Sequence, residues 1–160
     1  MNQKSLAKWL KTILIGCALC GLVVYFLLFP LLGQSIVHSQ PPDYAKCFWP
    51  WLLFLWCTGV PCYGALLLGW KIAGNIGADR SFSLENSVLL RKISRLAAFD
   101  SLLVFVGNLV LLALHFSHPS AVLLSLFVVF AGLAIAVAAA CLSHLVHRAA
   151  ELQEQSDLTI

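Results

Sequence analysis

The chain has 160 residues, of which 61% are hydrophobic and 11% charged, with a net charge of +3. A soluble domain carries about 45–50% apolar and about 25% charged residues. Together with a mean hydropathy of +0.91, this composition excludes a disordered chain, an ordinary soluble enzyme and a nucleic-acid-binding domain with a broad basic face, and points to an integral membrane protein.

Four apolar runs follow in chain order, at 12–32, 48–70, 96–116 and 121–145. Each is long enough to cross a hydrocarbon core of about 30 Å as a helix rising about 1.5 Å per residue. Helices are expected because an open strand would leave backbone groups unpaired in lipid. The first run follows Lys4, Lys8 and Lys11. It exceeds the roughly 7–15 apolar residues of a signal peptide and is read as an uncleaved helix. An outer loop carrying Pro41-Pro42 leads to the second run. There Pro50 fits the first turn and Pro61 predicts a kink.

The segment 71–95 reads as a cytoplasmic loop. Within it, Ser81 or Ser83 is expected to cap an amphipathic helix lying on the inner leaflet before the third span. His118-Pro119-Ser120 is a very short outer turn, so the third and fourth helices should be antiparallel neighbours. In the fourth, Gly132, Ala136 and Ala140 form a small-residue stripe suited to close helix approach. Residues 146–160 read as a cytoplasmic tail. The expected fold is all-α: a single membrane domain, an integral membrane four-helix transmembrane bundle.

Orientation follows from the basic residues. Lys4, Lys8, Lys11, Lys71, Arg80, Arg91, Lys92, Arg95 and Arg148 fall on one side, and Lys46 on the other. The positive-inside rule makes the first side cytoplasmic, giving an N-in/C-in protein. Trp9 and Trp70 should mark the inner interface, Trp49 and Trp51 the outer one.

Asp100 is the charged residue inside the runs. An intramembrane carboxylate is costly and usually faces a helix interface or a wet cavity. At 100° per residue, Gly107, Asn108 and His115 lie within about 80° of it on the third helix. Asp100, Asn108 and His115 therefore form a candidate polar path for a proton or ion, in a small oligomeric transporter. The plainer reading is a helix seam in which Asn108 bonds a neighbour and Asp100 reaches toward Arg91 or Arg95.

Other polar residues point less sharply. His144 and His147 sit three apart, a spacing that could share a metal, but a site needs further ligands. His115 and His118 bracket the outer turn. Cys17 and Cys20 form a C-x-x-C inside the first span, where packing is the simpler role than redox chemistry; Cys57 and Cys62 read the same way. The sequence holds no phosphate-binding loop, no G-x-S-x-G and no H-E-x-x-H. No catalytic residue, metal ligand or cofactor is assigned, and the protein is expected not to be an enzyme.

The segment Asp79-Arg80-Ser81-Phe82-Ser83, with Asn86-Ser87-Val88 and Leu90-Arg91-Lys92-Ile93, resembles the loop of the YoaS-like family of bacterial membrane proteins of unknown function (domain of unknown function 2975). The close Glu154-Gln155-Ser156-Asp157-Leu158-Thr159-Ile160 is similar to the acidic end seen there, with Ile in place of Val at the last position. The resemblance spans the chain and implies small four-helix proteins of the cytoplasmic membrane, often encoded beside a small helix-turn-helix regulator. It carries over no catalytic residue. It suggests a regulator or sensor that contacts such a cytosolic protein, without binding nucleic acid itself. Arg80, Phe82, Arg91, Lys92, Glu154, Asp157 and Leu158 are the candidate contact residues. The competing reading is that the loop merely docks on the bundle.

Overall fold

The computed structural model describes residues 3–38, 48–115 and 119–157. The described chain is all helical, with four rods long and apolar enough to cross a membrane. The first rod is α1 (Gln3–Val23), a π turn (Val24–Leu28) and α2 (Phe29–His38). The others are α3 (Phe48–Gly77), α4 (Leu84–Ala113) and α5 (Pro119–Asp157).

The π turn has a cause in the sequence. The Phe29 N–H bonds the Val24 carbonyl, five residues back. In that register the Tyr25 carbonyl would next be served by residue 30, but Pro30 has no N–H. The indole Nε1 of Trp56 on α3 donates to the Tyr25 carbonyl instead, at 3.1 Å. Pro61 lies inside α3 as expected and is buried.

The connection 71–95 is mostly helix. Helix α3 runs on to Gly77 and α4 starts at Leu84, so the amphipathic segment is continuous with the third rod rather than a separate helix on the inner leaflet. The turn between them is well specified. Arg80 N–H bonds the Asn75 carbonyl at 3.0 Å and Asp79 N–H bonds the Ile76 carbonyl at 3.1 Å. Asp79 takes the left-handed conformation, φ 59°. This is a Schellman stop with Asp in the place usually held by Gly. Ser83 then caps α4, its hydroxyl accepting from Asn86 N–H at 3.2 Å, with Glu85 in the first turn to complement the helix dipole. The tail is helical as well, since α5 continues to Asp157.

The rods pack in series. The first rod lies on α3, α3 on α4, and α4 on α5; among the described residues the first rod does not pack its backbone closely on α4 or α5, nor α3 on α5. The expected bundle is thus an open row. Each pair is antiparallel. Gly77 stands against Ala7 and Gly33 against Phe48 and Trp51, at opposite ends of the first pair. In the second pair Asn75 bonds Asn86, and Phe54 lies on Gly107. In the third, Ser87 meets Ser143, and the Ser101 hydroxyl lies directly over Gly132.

The α4–α5 contact is lined by small and polar groups. Ser101, Ala136, Ala139 and Ser143 are buried. Ser87 donates to the Ser143 carbonyl at 3.0 Å, and Ser143 to the Ser87 carbonyl at 2.8 Å. The small-residue stripe on α5 therefore turns through Ala139; Ala140 is exposed. Large apolar side chains such as Val60, Leu67, Leu124, Phe127 and Phe130 face outward. A small, polar interior beneath an apolar exterior suits a lipid solvent, where helices associate through close packing and hydrogen bonds rather than the hydrophobic effect.

Candidate functional site

Two regions gather polar side chains. The first is at the end of the row where the start of α1, the α3–α4 turn and the end of α5 meet. Ser81 Oγ donates to Gln3 Oε1 at 2.6 Å. An open cavity of about 610 Å³ lies between Gln3, Arg80, Phe82, Ala150, Gln153 and Glu154. Asn86 organises this end. It is almost fully buried, and its amide donates to the carbonyls of Arg80 and Ser81, both at 3.0 Å. Its own oxygen accepts from Asn75 at 2.8 Å.

This geometry divides the patterned loop by role. Asp79, Ser83, Asn86 and Ser87 build the turn and the seam. Arg80 and Phe82 stay exposed, Phe82 by 60%. Glu154 faces the same cavity, which brings loop and tail together. Arg91 and Lys92 are exposed on α4 and do not line it. Asp157 ends α5, and Leu158 lies outside the described residues.

The second region is midway along the rods. Cys62, halfway along α3, donates to Asp100 Oδ2, halfway along α4, at 3.3 Å. Asp100 Oδ1 is buried with no hydrogen-bond partner among the described residues. Tyr25, in the π turn, reaches the same stretch of α3, one turn before Cys62. Its hydroxyl lies 3.3 Å from Thr58 Oγ1. The Tyr25 ring packs over Gly59.

The other members of the polar path stand apart from this cluster. Asn108 is buried, and its amide donates to the Val104 carbonyl of its own helix at 2.9 Å. It follows Ser101 by seven residues, which places it on the α5 side of α4. His115 is exposed and left-handed, φ 61°, and its N–H bonds the Leu112 carbonyl at 3.0 Å. It acts as the stop residue of α4. Asp100 meets Cys62 rather than Arg91 or Arg95.

The remaining candidates have local roles. His147 pairs with Glu151 at 3.2 Å, one turn on. Among the described residues no three His, Cys, Asp or Glu side chains converge as metal ligands. Cys17, Cys20 and Cys57 are exposed rather than packed between helices, and Cys62 is exposed too, although its thiol reaches Asp100. Lys11 Nζ stands 5.2 Å from the ring centre of Trp70, a cation–π contact that sets both at one level.

Pro30 and Tyr25 were not singled out from sequence. Pro30 inside an apolar helix was the available signal for an irregular turn; nothing local marked Tyr25, whose partners lie more than thirty residues away.

A family model described as a protein of unknown function (DUF2975) matches residues 34–160. The chain belongs to this family. The matched part of the DUF2975 chain holds α3, α4 and α5, and with them Cys62, Asp100 and the 78–83 turn. A curated relative, the uncharacterized membrane protein YoaS of Bacillus subtilis (strain 168), is 27% identical over 150 residues, covering 91% of this chain and 94% of the relative. No solved structure matches the chain. This DUF2975 protein is a membrane protein with four spanning-length helices, in a family without an assigned activity.

Proposed function

We propose that this DUF2975 protein is a non-enzymatic regulator or sensor of a bacterial cytoplasmic membrane. Both termini face the cytoplasm, and the end where they meet binds a cytosolic partner. The observation that carries the reading is the open cavity that joins Arg80 and Phe82 of the α3–α4 turn to Glu154 of α5. It presents a cation, an aromatic ring and a carboxylate side by side, the residue types that anchor protein contacts. Lys4, Lys71 and Arg80 cluster at the same end, which supports a cytoplasmic placement. The family resemblance suggests a small helix-turn-helix regulator as partner.

The test is co-purification of the full chain from membranes with the product of a neighbouring regulator gene. Removing residues 151–160, or replacing Arg80 and Phe82 together by Ala, should lower capture at least about tenfold, as expected for the loss of a contact hot spot. Undiminished capture by both variants refutes the reading. An alkaline phosphatase fusion at the C-terminus should be inactive; an active fusion would reverse the orientation.

A further inference from the structure

The cluster of Tyr25, Thr58, Cys62 and Asp100 carries an inference beyond partner binding. We propose that Asp100, with Tyr25 as the neighbouring oxygen donor, is an intramembrane binding site for a single alkali cation. It gives the ion-pathway reading of Asp100 a ligand class, but requires only equilibrium binding and no passage.

The argument is an account of protons. Thr58 Oγ1 donates to the Leu55 carbonyl at 2.8 Å. Its 3.3 Å contact with Tyr25 must then be served by the Tyr25 proton. The Cys62 thiol proton goes to Asp100 Oδ2. The Trp56 N–H goes to the Tyr25 carbonyl. Every proton of the cluster is directed away from Asp100 Oδ1, which is buried and without a donor. The phenol oxygen, donating to Thr58, keeps its own lone pairs free one turn before Cys62, which bonds the carboxylate. Buried acceptors left in this state are rare in folded proteins.

Charge selects the occupant. The cluster holds one carboxylate and no basic side chain, and an intramembrane charge is normally balanced. One positive charge balances it; a divalent ion would leave a surplus in lipid. Carboxylate, phenol and hydroxyl oxygens suit a hard ion, and the thiol is occupied as a donor. The backbone of the first rod is irregular beside this cluster, its π turn leaving the Tyr25 carbonyl to the Trp56 indole of α3; discontinuous helices hold the ion sites of many transporters.

The experiment is ²²Na⁺ binding to the purified full chain in nanodiscs, at constant ionic strength made up with choline chloride. The wild type should bind saturably, with about one ion per chain, as one carboxylate requires. Asp100→Asn should abolish binding. In choline alone it should melt no lower than the wild type, because it removes a charge that choline cannot neutralise. Tyr25→Phe keeps the ring against Gly59 and should weaken binding several-fold, which carries the test if Asp100→Asn fails to fold. Absence of saturable binding by the wild type between pH 6 and 9 would mean that the site holds a proton only, and overturns the proposal. So does unchanged binding by Tyr25→Phe or by a folded Asp100→Asn. The assay contains no protein partner, so its result is independent of the regulator proposal.

Discussion

Asn86 does more for this fold than its size suggests. One buried amide ties down the turn through Arg80 and Ser81 and links it back to Asn75. Replacing it by Ala leaves those groups without their partner, and a buried unsatisfied polar group costs about 1–3 kcal/mol. Asn86→Ala should therefore lower the thermal midpoint of the purified protein clearly. Phe82→Ala, at an exposed site, should change stability by no more than about 0.5 kcal/mol. Comparing both melts separates the residues that build the turn from those that face outward. At this scale sequence reading is uneven. The Ser83 cap is readable because a hydroxyl precedes an apolar-periodic run. Asp79 and His115 are not, since Asp and His adopt the left-handed conformation only in places, whereas Gly does so freely. Nor is the Cys62–Asp100 bond, which depends on the register of two helices 38 positions apart in the chain.

Among the elements, hydropathy located all four rods but misplaced some of their ends. Charge at Arg91, Lys92 and Arg95 reads as a loop by hydropathy, yet no Gly or Pro interrupts the chain from Leu84 to Val106. Nothing stops the helix there, and α4 runs through. The α5 stripe has a geometric lesson. Steps of four residues advance 400°, so each drifts about 40° around the helix. Gly132, Ala136 and Ala140 spread over roughly 80°, while Gly132, Ala136, Ala139 and Ser143 alternate four and three and stay on one face. The Ser87–Ser143 exchange sits on that face. A double-mutant cycle with Ser87→Ala and Ser143→Ala should give a coupling energy of about 0.6 to 1.7 kcal/mol, between the mean and the maximum measured for hydrogen bonds between membrane helices. A value near zero would mean that the seam is held by close packing alone.

For the whole molecule, the count of spans sets both termini at one end, and the bond between Ser81 and Gln3 agrees with that parity. The order of packing was not readable. In lipid, apolar faces do not choose one neighbour over another, and the choice falls to small residues and hydrogen bonds whose pairing needs three dimensions. The serial arrangement also decides which parts need each other. The family model begins at residue 34, and among the described residues α3 is the helix on which the first rod packs. Separately made segments 1–40 and 41–160, co-expressed in one membrane, should therefore find each other, with the smaller piece retained on an affinity-tagged larger one. Changing Tyr63 to Phe should loosen that retention, because its hydroxyl holds the Ala18 carbonyl at 2.9 Å.

The π turn gives this separability a particular meaning. It lies wholly ahead of residue 34, and it carries Tyr25 to Thr58, one turn before the Cys62 that bonds Asp100. The carboxylate thus lies in the part of the molecule matched by the family model, and the phenol outside it. A homologue that kept Asp100 and exchanged its leading helix would retain the membrane scaffold and retune the chemistry at its centre, a division of labour that chimeric proteins can probe.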